Sequence, residues 1–139
     1  MKKAIVSETT TLTVQFFECD PMAVCWHGHY VKYFEMARCA LLKKIGYDYP
    51  DMKESGYAWP VIDLHIRYVK ALRYDQKIEI EAGIIEYENY LKIDYEVRDA
   101  ETGEKFTKGS TKQVAVTGDT FEMQLVSPKI VLEKLARYL

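Results

Sequence analysis

The sequence predicts an α+β domain in which an antiparallel sheet packs one face on a single long helix. Four segments alternate apolar and polar residues with a period of two, the pattern of half-buried strands, and a fifth strand follows them. Only one long segment, His29–Ile45, repeats its apolar residues at helical spacing. Turn signals, not helical crossovers, separate most of the strand segments, which suits antiparallel pairing.

The first strand is expected over Thr9–Glu18, with Leu12, Val14 and Phe16 on one side and Thr11, Thr13 and Gln15 on the other. The period then changes. Tyr30, Tyr33, Phe34, Ala37, Leu41 and Ile45 form a helical stripe, and Val31, Met36, Cys39 and Leu42 widen it, predicting a helix buried on most sides. Gly46 closes that helix, and Tyr49–Gly56 reads as a short second turn or helix. Ile62, Leu64, Ile66 and Tyr68 mark the next strand; Ile78 and Ile80 another; Leu91, Ile93, Tyr95 and Val97 a fourth. Turns are expected at Tyr74-Asp75, Glu88-Asn89 and Ala100–Gly103. A fifth strand runs from Lys105 to Thr117, giving four strands in meander after the helix. Ser127-Pro128 then opens a terminal helix reaching Leu139.

With 139 residues, no linker and no internal repeat, the chain reads as one domain over residues 1–139. Hydrophobic residues make up 48% and aromatics 13%, enough to bury a core and to exclude wholesale disorder. Nineteen Lys+Arg against 21 Asp+Glu leave a net charge of −2, which argues against a general nucleic-acid binder. No stretch approaches the roughly 20 apolar residues of a membrane span. Lys2 and Lys3 imitate a signal-peptide start, but Ser7-Glu8-Thr9-Thr10 interrupts any apolar core. Cys19, Cys25 and Cys39 lack CxxC spacing and read as reduced thiols of a cytoplasmic protein.

Polar chemistry concentrates in Phe17–Arg38, FECDPMAVCWHGHYVKYFEMAR, where strand passes to helix. The first turn of a helix has unpaired N–H groups and a positive dipole end, which stabilise a developing oxyanion. A carboxylate such as Asp20, just ahead of that terminus, could attack a carbonyl held there or activate water against it. That combination suits ester cleavage.

Asp20-Pro21, Trp26-His27 and Tyr30, leading into Tyr33-Phe34-Glu35-x-Ala37-Arg38, resemble the hotdog-fold acyl-CoA thioesterases of the 4-hydroxybenzoyl-CoA thioesterase-like branch. Gly56-x-x-x-Pro60-Val61 and Ile66-x-Tyr68 fit the same pattern, and the resemblance covers roughly residues 9 to 118. Ala23 departs from it, because many relatives carry Gly three residues after the Asp. The resemblance implies a hotdog fold: a five-stranded antiparallel sheet wrapped around the long helix, with active sites shared across a dimer or tetramer. It carries the catalytic carboxylate onto Asp20, as nucleophile or general base, and the carbonyl-polarising amide onto His27. His27 also stands where the Tol–Pal-associated thioesterases have a functional His. Substrate binding falls to Tyr30 and to the segment Tyr57, Trp59, Pro60 and Val61, reaching over from the partner subunit. The substrate is then an acyl-CoA thioester, hydrolysed to free acid and CoA. A thiol leaving group with a pKa of about 8.5 departs without a strong general acid, so no metal or organic cofactor is required.

Other readings compete for these residues. An Asp before a helix is commonly just an N-cap. Cys25 with His27 or His29 suggests a Cys–His nucleophile, but no third orienting residue is signalled. Cys19, Asp20, Cys25, His27 and His29 match no zinc spacing. Trp26, Tyr57 and Trp59 suit either packing or an acyl pocket, Trp59 being the stronger pocket candidate. Glu35 and Arg38 stand at ion-pair spacing on the helix. Arg67, Lys70, Arg73, Lys92, Lys108 and Lys112 are the cations available for CoA phosphates. As whole functions, the alternatives are an acyl-carrier-protein thioesterase, a non-catalytic acyl-CoA-binding protein and a hydratase. The last fits poorly, because hydratases of this fold place Asp and His five apart and these stand seven apart.

Overall fold

The computed structural model describes residues 3–139; Met1 and Lys2, and with them part of the signal-peptide reading, lie outside the described residues. A five-stranded antiparallel sheet has the order β1-β4-β5-β6-β3, built from β1 (Val6–Thr13), β3 (Val61–Tyr68), β4 (Lys77–Glu86), β5 (Leu91–Asp99) and β6 (Lys105–Gln113). Helix α1 (His29–Lys44) packs against β1 and β4. A short α2 (Tyr49–Ser55) follows, and a two-stranded ribbon joins β2 (Tyr57–Ala58) to β7 (Val116–Thr117). The terminal α3 (Lys129–Leu135) ends in a 3-10 turn over Ala136–Tyr138. No helix among the described residues is long and apolar enough to cross a membrane.

Alternation sets which side chains enter the core. Ile78, Ile80, Ala82 and Ile84 of β4, and Leu91, Ile93, Tyr95 and Val97 of β5, are buried with Tyr33, Phe34, Ala37 and Leu41 of α1. Burying each large apolar side chain contributes about 1.5–3 kcal/mol. At the centre Phe34 stacks flat on Tyr95, with centroids 4.4 Å apart and planes 7° from parallel. Gly109 of β6 lies beneath Phe34: a Cβ there would come within 2.3 Å of the ring and 2.8 Å of the His65 carbonyl oxygen. The sheet passes over the helix at that point because this residue has no side chain.

Four expectations need correction. β1 stops at Thr13, and Phe16–Glu18 forms a 3-10 turn in which the Gln15 N–H donates to Glu18 Oε1 at 2.8 Å. This turn throws Phe16 and Phe17 outward (76% and 75% exposed) and buries Glu18 instead. The strands after α1 are not a simple meander, because β3 lies at the sheet edge beside β6. The strand begun at Lys105 breaks at Val114-Ala115, so its last residues pair with β2 rather than with the main sheet. Finally, α1 is not buried on most sides, since Val31, Met36 and Cys39 are exposed.

Candidate active site

Asp20 sits on a loop that doubles back ahead of α1. Its N–H donates to the Val24 carbonyl at 2.9 Å, and the Trp26 N–H donates to the Glu18 carbonyl, also at 2.9 Å. Between these ladder bonds, the Ala23 N–H closes a tight turn onto the Asp20 carbonyl. The Met22 N–H donates to Asp20 Oδ1 at 2.8 Å, an Asx turn that holds the carboxylate by one oxygen. Asp20 Oδ2 makes no hydrogen bond among the described residues. Ala23 adopts φ +62°, the left-handed region, so the position that departs from Gly has a conformation costing a non-glycine residue about 1–2 kcal/mol.

Helix α1 opens with Gly28 as N-cap. The Trp26 ring folds over Gly28 so closely that a Cβ would lie 2.2 Å from it. The backbone N–H groups of His27 and Gly28 donate no hydrogen bond among the described residues. Unpaired amides at a helix start are the donors an oxyanion needs. The Tyr68 hydroxyl donates to the His27 carbonyl oxygen at 3.0 Å and steadies this peptide from the end of β3. Tyr30 packs edge-on against Tyr68, its centroid 4.8 Å away, and its hydroxyl oxygen accepts the Leu72 N–H at 3.2 Å. Burial pushes the Tyr30 phenol above its ordinary range. Asp20, Cys25, His27, Tyr30, Tyr68 and Lys70 line one small cleft of about 280 Å³.

Under the loop lies a polar cluster the sequence reading missed. Glu18 is 3% exposed, ion-paired with Lys32, and accepts the Tyr33 hydroxyl at 2.9 Å as well as the Gln15 N–H. Burial pushes its carboxyl pKa up, but Lys32 and the two hydrogen bonds together hold it below the usual value. The same Tyr33 hydroxyl lies 3.5 Å from Cys25 Sγ. Burial raises the Cys25 thiol pKa, which disfavours it as a thiolate attacking a thioester near neutral pH. The Gln15-x-x-Glu18 spacing was the available signal, since residues three apart can exchange reciprocal bonds around a helical turn.

Tyr57, Trp59 and Pro60 instead line a larger cavity of about 1080 Å³ between α1, α2 and the β2–β7 ribbon, shared with Arg38, Met52 and Phe121. Trp59 is held as a fixed wall: its Nε1–H donates to the Tyr47 hydroxyl at 3.1 Å, and Gln113 Nε2 donates to its carbonyl at 2.8 Å. Glu35 and Arg38 form the expected ion pair at this cavity's edge. Within one protomer, therefore, the structure gathers Asp20, His27 and Tyr30 in one cleft and Tyr57, Trp59 and Pro60 in another. Val61 lines neither, and the exposed Trp26 packs on its neighbours' imidazoles rather than on a pocket. The His27 side chain is exposed and makes no hydrogen bond to Asp20 among the described residues, so its backbone carries the stronger case.

A five-stranded antiparallel sheet packed on one long helix defines a hotdog-fold protein. The model of the thioesterase-like superfamily matches residues 14–132, and the chain belongs to that family. It is 29% identical over 112 residues to YneP of Bacillus subtilis, named as a candidate acyl-CoA thioesterase, covering 80% of each chain. A DHNA-CoA thioesterase structure from Staphylococcus aureus superposes with a TM-score of 0.77 at 33% identity, over 84% of this chain and 78% of that one. A 4-hydroxybenzoyl-CoA thioesterase variant, solved with 4-hydroxybenzoyl-CoA, shares the fold with a TM-score of 0.81 at 19% identity, over 93% of this chain and 98% of that one.

Proposed function

We propose that this protein hydrolyses acyl-CoA thioesters to free acid and CoA at a site completed by a second subunit. The observation that carries this reading is the free Asp20 Oδ2 in the cleft formed at the unpaired start of α1. The substrate carbonyl oxygen accepts the His27 and Gly28 N–H groups, which strengthens as negative charge develops. Asp20 activates the attacking water, and the CoA thiolate leaves without a strong acid because the thiolate is a weak base, its conjugate thiol having a pKa of about 8.5. Lys70 also lines the cleft, with its ammonium paired to Glu104.

The second subunit follows from the sheet. Among the described residues β3 pairs only with β6, and its other edge exposes Val61, Ile62, Leu64 and Tyr68. Such an edge invites another strand. The small cleft lies at the C-terminal end of β3 and the large cavity at its N-terminal end. Antiparallel pairing of two β3 strands about a two-fold axis would bring each small cleft to the partner's large cavity. The partner subunit's Trp59 and the partner subunit's Tyr57 would then wall the acyl group. An aromatic cavity of about 1080 Å³ suits aryl or medium-to-long acyl chains better than acetyl. Three free cysteines suit a reducing compartment such as the cytoplasm.

The test is thiol release from a series of acyl-CoAs, with light scattering on the same samples. Asp20→Asn should remain a dimer or tetramer and lose about 10²-fold in turnover, the scale of a missing general base. Near-wild-type turnover in that variant, or a strictly monomeric active enzyme, would refute the proposal.

A further inference from the structure

Cys19 and Cys25 bracket the Asp20 loop and face each other as an isolated antiparallel bridge. The flanking bonds define what kind of pair this is. The Asp20 N–H donates to Val24 and the Trp26 N–H to Glu18, so the bonds between the two segments lie on the residues either side, while the cysteine N–H groups turn away to Phe16 and Leu72. That is the non-hydrogen-bonded register, in which opposed Cα atoms approach to about 4.5 Å and their side chains share one face. A disulfide needs Cα atoms roughly 4.4–6.8 Å apart, so this register meets the backbone requirement. Both thiols are free. Cys19 is partly exposed and Cys25 is buried, which gives a reagent access to one thiol and a resolving partner behind it.

We propose that Cys19 and Cys25 form a reversible intramolecular disulfide on reaction with a low-molecular-weight disulfide, making the Asp20 loop a covalent modification site. Cys19 loses its proton to solvent and its thiolate attacks one sulfur of the reagent RSSR, forming Cys19–S–S–R and releasing RS⁻. Cys25, also deprotonated, attacks the Cys19 sulfur, forming the Cys19–Cys25 bond and releasing a second RS⁻. The two cysteines are oxidised by two electrons and RSSR is reduced to two thiols. Burial raises both thiol pKa values, the Glu18 charge adding at each and the Asp20 charge at Cys19, so exchange quickens as pH rises. The bond draws Cys25 Sγ away from the Tyr33 hydroxyl and ties residues 20–24 into a closed ring. Cys39 takes no part: it is exposed on α1 with its sulfur 3.5 Å from Asp48 Oδ1.

The experiment uses the full chain carrying Cys39→Ser, equilibrated with defined ratios of glutathione disulfide to glutathione and then acid-quenched for mass analysis. The native protein should lose the mass of two hydrogens, retain no glutathione, and yield one Cys19–Cys25 linked peptide that reductant separates. The register adds a further demand: the native fold should favour the bond over the same chain in urea by at least about tenfold in the oxidation equilibrium, as expected for pre-positioned partners. Cys25→Ser should instead retain one glutathione on Cys19. A stable mixed disulfide in the Cys39→Ser protein, two unreacted thiols, or equal oxidation in native and unfolded chains would each overturn the proposal. None of these readouts depends on thioester turnover, so the catalytic reading and this one fail separately.

Discussion

Replacing Glu18 by Gln tests whether the buried carboxylate beneath the loop acts through its charge. Glutamine keeps the shape but can no longer accept three donors at once, from Lys32, the Tyr33 hydroxyl and the Gln15 N–H. Hydrogen bonds to a charged group contribute about 1.5–3 kcal/mol each. Lys32 is 45% exposed and recovers water when its partner is neutralised, so its share is small. The expected loss is about 2–3 kcal/mol at neutral pH, equivalent to a Tm drop of roughly 8 °C in a domain of this size. The sign of the pH dependence follows from the carboxyl being held below its usual 4.5 in the folded protein. Its stabilisation is complete above the unfolded value and fades as pH falls through the lower native one. Urea unfolding at matched protein concentration should therefore show a wide gap between wild type and Glu18→Gln at pH 7. That gap should shrink toward its shape-only remainder at about pH 3. A gap equal at both pH values, or below about 0.5 kcal/mol at pH 7, would refute the charge argument.

Gly109→Ala forces a Cβ into the Phe34 ring and the His65 carbonyl, and should cost about 1–3 kcal/mol by overpacking, read by chemical denaturation. Ala23→Gly relieves a left-handed backbone but loosens the unfolded chain, so a net gain of about 0.5–1 kcal/mol is expected in the same assay. Trp59→Ala removes a wall of the large cavity; kcat/KM for the best long or aromatic acyl-CoA should fall by about 1–3 kcal/mol in transition-state terms while acetyl-CoA barely changes. Uniform losses across acyl groups would make Trp59 purely a packing residue.

Local pattern carried much of this protein. Period-two alternation placed β3, β4 and β5, and helical spacing placed α1, because a half-buried element must repeat its apolar residues at its own backbone period; β6 was read from the turn signals on either side of it. The Asp20-to-helix segment was legible for a similar reason: its chemistry is contiguous in the chain, so carboxylate and helix-start amides needed no long-range information to be brought together. What sequence could not decide were relations between distant segments. The place of β3 at the sheet edge depends on its pairing with β6, and alternation is the same whichever neighbour a strand takes. Phe16 reads as an inward strand residue until the Gln15–Glu18 turn reverses the chain, and only then does Glu18 meet Lys32 and Tyr33. The separation of Asp20 from Trp59 within one protomer likewise needed the tertiary structure, since cavities form where non-adjacent elements leave space between them.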